Sequence, residues 1–148
     1  MARTSDHFIF LKTGGCNKVT QEPFAYAVPV FIDKSGGEVG LPRIEHDLTD
    51  TPIEGADEPR LYNGFTSSDG KYSANVWACN AGTLRIENLE VCETGIPIQG
   101  TCEITDLQGN NKEVYGPGDA FVLPLGFTGY FHMPDPFIKY NIMYEDSD

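Results

Sequence analysis

Eight short runs of apolar and β-branched residues crowd the second half of this chain, and turn residues separate most of them. They are YSANVWAC (72–79), TLRIENL (83–89), VCETGIPI (91–98), TCEITDL (101–107), KEVYG (112–116), AFVLP (120–124), GYFHM (129–133) and FIKYNIMY (137–144). The breaks between them hold Asn80-Ala81-Gly82, Gly100, Gly109-Asn110, Gly116-Pro117-Gly118, Gly126 and Pro134-Asp135-Pro136. Such residues supply the fixed or left-handed φ that tight turns require. No segment sustains a 3.6-residue apolar period, so few helices are expected. Many short strands at near-regular spacing predict an all-β sandwich or barrel. Periodicity alone does not choose between a jelly roll and other sandwiches.

The first half is looser. HFIFLK (7–12) and AVPVFID (27–33) are β-rich, and Gly14-Gly15, Gly36-Gly37, Pro42, Pro52, Gly55 and Pro59 mark turns around them. The acidic stretch Glu45 to Glu58 lacks periodicity and reads as a surface loop or as a flap over a barrel mouth. The expected division is an N-terminal extension with short strands, 1–63, and a β-barrel domain, 64–148, together one compact unit.

A chain of 148 residues suits one domain, and 40% hydrophobic content with nine Phe, seven Tyr and one Trp can close a core without disulfides. The net charge of -12, with no basic stripe, excludes nucleic acid and disfavours anionic membranes. No run approaches the roughly 18 apolar residues of a membrane span. Cys16, Cys79, Cys92 and Cys102 lack metal-ligand spacing, and no apolar export segment precedes them. They are expected to be free thiols in a reducing, cytoplasmic setting, mostly as small core residues.

The segment GPGDAFVLPLGFTG (116–129) resembles the second conserved motif of the cupins, G-x5-P-x-G-x2-H-x3-N, with Gly118, Pro124 and Gly126 in register. Glu93 and Gly100 match the acidic ligand and closing glycine of the first motif, G-x5-HxH-x3or4-E-x6-G, and Gly82 can open it. Trp77, Cys79, Gly82-Thr83-Leu84-Arg85, Ile104-Thr105-Asp106 and the ending Phe137-Ile138-Lys139-Tyr140 also look like one cupin subfamily. That subfamily contains the (S)-ureidoglycine aminohydrolase cupin domain and ethanolamine-utilisation accessory cupins. The resemblance covers about residues 64 to 145 and implies a single-domain jelly-roll β-barrel. Residues before it carry no recognisable motif.

The resemblance also implies a central metal held by three His and one Glu. Counted from Gly82, the two histidine positions of the first motif fall on Asn88 and Glu90. Counted back from Glu93, they fall on Glu87 and Leu89, or on Ile86 and Asn88. In every register histidine is missing. In the second motif, Gly129 and Met133 stand where ligands are expected. No cofactor is therefore predicted. A divalent metal on Glu87, Glu90 and Glu93 is the residual possibility, although that spacing alternates faces on a regular strand. Of the three histidines, His7 and His46 lie in the unmatched half. His132 alternates with Gly129, Phe131 and Met133, and so should face away from the barrel interior.

Glu93 is the one motif-placed carboxylate and the candidate catalytic residue. Burial would raise its pKa and suit it to acid–base work, unless it is held by Arg85 or Lys139. The candidate substrate-binding set is Trp77, Arg85, Glu93, Phe131, Met133 and Lys139. Arg85 can grip a carboxylate or pair outside with Glu87 or Glu103. Trp77 can serve as core or as ligand platform. Lys139 and Tyr140 occupy opposite faces, so only one reaches the cavity. Thr128 replaces a lysine found in some subfamily members. Three functions follow: a metal-poor cupin holding a small polar or acidic metabolite, an enzyme on a small nitrogenous metabolite, or a structural protein. A homodimer through the strands at 7–12 and 27–33 is the expected assembly.

Overall fold

The computed structural model describes residues 10–12, 19–21, 29–44 and 50–146. Two compact units divide between Phe31 and Ile32. In the first, β1 (Phe10–Lys12) and β2 (Val19–Gln21) pair antiparallel, with Leu11 opposite Thr20. Only part of the expected run at 7–12 is described there. The described part of the run at 27–33 carries no strand.

The second unit is a jelly-roll β-barrel, with no α-helix among its described residues. Its strands are β3 (Arg43–Ile44), β4 (Asp50–Gly55), β5 (Arg60–Thr66), β6 (Tyr72–Cys79), β7 (Gly82–Ile86), β8 (Cys92–Gln99), β9 (Cys102–Thr105), β10 (Glu113–Tyr115), β11 (Phe121–Leu123), β12 (Gly129–Met133) and β13 (Phe137–Tyr144). One sheet has the order β10-β9-β12-β7-β4, and the other β11-β8-β13-β6-β5-β3, with all neighbours antiparallel. Three predicted strands, 72–79, 129–133 and 137–144, match the observed ones end to end.

The acidic stretch before residue 58 is corrected in part. It supplies β4, an edge strand paired with β7, rather than only a loop or flap. Pro52 hid it, yet an edge strand tolerates proline because one side needs no ladder donor, and a register shift falls between Pro52 and Glu54. The division expected at 63/64 falls inside β5, and β3, β4 and most of β5 are barrel strands.

Strand alternation sets the core. On β12 the burial pattern puts Gly129, Phe131 and Met133 inside, and on β7 Leu84 and Ile86. Trp77, Phe131 and Phe137 meet edge to face, with ring centroids 5.7–6.3 Å apart, the arrangement the aromatic quadrupole favours. The outer face of the larger sheet is covered by the segment before β3. There Gly36 and Gly37 lie against the Tyr62 ring, and Tyr140 donates a hydrogen bond from its hydroxyl to the Ile32 carbonyl, 3.2 Å. Tyr140 thus packs outward, leaving the inward position to Lys139.

Two inward glycines make room for rings. A Cβ on Gly95 would lie 2.2 Å from the Phe121 ring. On Gly129 it would lie 2.2 Å from the Thr105 carbonyl oxygen and 2.8 Å from the Phe127 ring. The histidine position of the second motif is therefore closed by backbone and by Phe127. Gly129→Ala should destabilise the barrel by about 1–3 kcal/mol, because a backbone carbonyl cannot yield as a flexible side chain does. Urea unfolding checks this, and an unchanged midpoint would contradict the packing.

Candidate functional site

The register of β5, β6, β13, β8 and β11 lays three inward rows across the larger sheet. One runs Asn63, Asn75, Asn141, Gly95, the next Leu61, Trp77, Lys139, Pro97, and the third Ser73, Met143, Glu93, Leu123. Lys139 and Glu93 thus start two inward positions apart on neighbouring strands, an offset that a four-carbon stem can span. Their side chains meet in an ion pair, with the Nζ ammonium donating to Oε1 of Glu93, and they are 5% and 10% exposed. The ammonium lies 4.9 Å from the Trp77 ring centroid, 5.1 Å from Phe131 and 5.5 Å from Phe121. The negative faces of three rings and one carboxylate together replace the water that this cation gives up.

The pair lines a cavity of about 230 Å³ at one end of the barrel. Trp77, Leu84, Ile86, Leu89, Phe131 and Met143 supply its apolar wall, and Asn141, Asp50, Glu90 and Glu145 supply polar groups. Glu90 and Glu145 are exposed at the strand ends, whereas Asn141 is buried and its Oδ1 has no hydrogen-bond partner. Behind Asn141 runs a polar row: Asn63 donates to Asn75 Oδ1 at 2.8 Å, and Asn75 donates to the Asn141 carbonyl at 3.4 Å.

Four of the six predicted binding residues, Trp77, Glu93, Phe131 and Lys139, line the cavity, whereas Met133 does not and packs fully buried in the core. Arg85 does not join them. Leu84 and Ile86 take the inward positions of β7, so Arg85 lies on the outer face, with its guanidinium 3.6 Å from Glu87 and its side chain 41% exposed. Its expected place in the binding set is corrected to this exterior pairing. His132 faces outward, as the alternation requires, and its Nδ1 lies 2.8 Å from the Thr83 hydroxyl. His7 and His46 lie outside the described residues.

The predicted run 83–89 ends at Ile86, and residues 87–91 form a loop rather than the regular strand on which Glu87, Glu90 and Glu93 would alternate. Asn88 there takes a left-handed φ of 50° and donates from its backbone N–H to the Thr128 hydroxyl at 2.9 Å. The loop sends the three carboxylates apart: Glu87 to Arg85, Glu90 to the cavity mouth, and Glu93 to Lys139. Among the described residues no group of three His, Cys, Asp or Glu side chains could hold a metal ion. The central metal implied by the cupin resemblance does not fit these residues. The position offers one carboxylate already bonded to an ammonium, walled by rings that donate no lone pair.

Asn63, Asn75 and Asn141 escaped the sequence reading because no motif marks them. The signal available was their register: Asn75 and Asn141 fall on the same faces as Trp77 and Lys139, two residues away. The buried thiols are inert. Burial pushes Cys79 up to about 11 and Cys102 up to about 12.

A family model described as the EutQ-like cupin domain matches residues 66–140, half of the sequence. The chain belongs to this family. Solved structures agree on the fold. A putative ethanolamine utilization protein Q from Salmonella typhimurium LT2 is 17% identical, with a TM-score of 0.52, over 66% of this EutQ-like cupin and 79% of that chain. The Clostridium difficile EutQ protein is 19% identical, with a TM-score of 0.51, over 66% and 78%. The polyketide cyclase RemF from Streptomyces resistomycificus is 13% identical, with a TM-score of 0.57, over 79% and 80%. No curated protein matches the chain.

Two predictions follow from the geometry of the cupin. Lys139→Ala strands the Glu93 carboxylate in an apolar wall and should cost about 3–5 kcal/mol, whereas Glu93→Leu combined with Lys139→Met should be far milder than that single change. Urea unfolding of the unaltered protein, Lys139→Met, Glu93→Leu and the double variant measures the coupling, and additive effects would contradict the pair. Raised thiols favour the folded state below the ordinary thiol value and lose that contribution as pH rises through the folded values. Stability should therefore fall as pH rises above about 9. Thermal unfolding from pH 8 to 11 checks the sign, and Cys79→Ala with Cys102→Ala should flatten the slope.

Proposed function

We propose that this EutQ-like cupin binds a small polar molecule in the mouth of its barrel, and that the Lys139 ammonium supplies the fixed positive charge which a resident metal supplies in metal-binding cupins. The observation that carries the reading is the buried Lys139–Glu93 pair on the wall of an open, half-apolar cavity. Such cavities, with a few placed polar groups, are the usual form of a small-molecule site. Asn141 lines the same cavity, and its side-chain amide places a polar group beside an entering ligand. Trp77, Phe131 and Leu84 would supply contact area.

Glu93 is bonded to Lys139, so its role in this reading is to hold the ammonium in place, and no reaction step is assigned to it. An aminohydrolase-like activity on a nitrogenous metabolite would draw on a metal, and the residues around Glu93 give that reading no support.

Thermal unfolding across a panel of small polar metabolites, with EDTA present throughout, tests the proposal. A ligand at a hundred times its Kd should add about 2.7 kcal/mol of stability and raise Tm by several degrees. Asn141→Leu should remove that shift. Uniform absence of shifts, or shifts that occur only when EDTA is left out, would overturn the proposal.

A further inference from the structure

We infer that Lys139 is a nucleophile toward small uncharged aldehydes and ketones, which its side-chain nitrogen captures as a protonated Schiff base inside the cavity; the inference rests on the reading of that cavity as a binding site. The first observation is which reactive groups the wall holds. Its lining residues carry no hydroxyl, thiol or imidazole, and Lys139 is their one amine. An amine in an apolar pocket condenses with a carbonyl group without a further co-reactant. Glu93 is hydrogen-bonded to the nitrogen, within the reach that proton transfer requires.

The step balances within this pair. Glu93 takes a proton from the ammonium, and the freed electron pair on Nζ attacks the carbonyl carbon. A C–N bond forms, the carbonyl π pair moves to oxygen, and that oxygen takes the proton from Glu93. Glu93 then removes a second proton from nitrogen and gives it to the hydroxyl. The C–O bond breaks, water leaves, and the nitrogen lone pair closes the C=N bond. The sum is an ammonium and a carbonyl compound giving an iminium and water, with Glu93 again ionised.

The second observation is the supply of acceptors. An ammonium carries three N–H donors. Among the described residues Nζ has one oxygen acceptor, on Glu93, and its other neighbours are the Trp77, Phe121 and Phe131 rings, with centroids within 5.5 Å. An iminium carries one N–H, which the Glu93 carboxylate satisfies. Its positive charge stays where the rings and the carboxylate already hold one. The carbon that replaces the other donors enters a wall of Trp77, Leu84, Ile86, Phe131 and Met143, which keeps water from the C=N bond. Size and charge narrow the class. A cavity of about 230 Å³ holds a carbonyl compound of a few carbons. Lys139 is the single cation of the lining and Glu93 already matches it, so the carboxylate of a 2-oxo acid would enter without a counter-charge.

The test is reductive trapping on the full chain. Butanone or butanal is added with sodium cyanoborohydride, and the alkylated lysines are mapped by mass spectrometry of peptides. Lys139 should be alkylated at least about tenfold faster than Lys71 and Lys112, although their side chains are 31% and 52% exposed and its own only 5%. Pyruvate should label Lys139 more slowly than butanone. Glu93→Gln keeps a hydrogen-bond acceptor but shuttles no proton, so it should slow trapping at Lys139 severalfold and leave Lys71 and Lys112 unchanged. Trapping on the unaltered chain decides the inference even where this variant does not fold. Labelling of Lys71 and Lys112 as fast as Lys139 or faster, while a metabolite of the thermal panel still raises Tm, would overturn the inference and leave the binding site standing. Faster labelling of Lys139 by pyruvate than by butanone would overturn the uncharged ligand class. No labelling of Lys139, together with no thermal shift from any compound, would overturn both the inference and the binding reading.

Discussion

A lysine ammonium held against a glutamate inside a barrel of aromatic rings is the interaction on which the site depends. Removing two charges from water costs several kcal/mol per ion, and the loss is offset only where geometry and neighbours are good. Here Glu93 supplies the counter-charge, and Trp77, Phe121 and Phe131 surround Nζ at 4.9–5.5 Å. The interior row on which Lys139 sits is fixed by β13, which pairs along its whole length with β6 and again with β8. A one-residue slip of β13 would turn Lys139 outward and Tyr140 inward, so the pair and the sheet register specify each other.

The same barrel leaves little room for the metal site that the cupin motifs imply. Gly129 stands at a histidine position of the second motif, and its missing side chain is filled by the Thr105 carbonyl and the Phe127 ring. The loop after β7 carries the corresponding positions of the first motif, and its backbone is tied to the second motif through Asn88 and Thr128, and through Leu89 with Gly126 and Phe127. Glu93 alone persists, and its oxygen faces an ammonium. In the proposed reading, the fixed Lys139 ammonium stands where an exchangeable cation would be held.

Much of this was legible from residue order. Alternation on β12 assigned Phe131 and Met133 to the interior and His132 to the exterior, because a strand has a period of two and this one is regular throughout. The fold was legible for the same reason, and motif-spaced Gly118, Pro124 and Gly126 marked the turns around β11. The edge strand β4 was not legible, since proline and acidic residues are permitted where one side of a strand stays unpaired. Arg85 was misplaced because its charge type suggested recognition, while its neighbours Leu84 and Ile86 already claimed the inward face. The asparagine row Asn63–Asn75–Asn141 depends on the register between strands, which no single strand encodes.

The central claim is that the Lys139 ammonium, bonded to Glu93, takes the place of the metal ion that the cupin motifs imply. A crystal structure of the chain soaked in manganese, recorded with anomalous scattering, tests it directly. The account predicts continuous density joining the Lys139 ammonium to the Glu93 carboxylate, with no anomalous peak beside Glu93. An anomalous peak coordinated by Glu93, with Lys139 turned away, would contradict it.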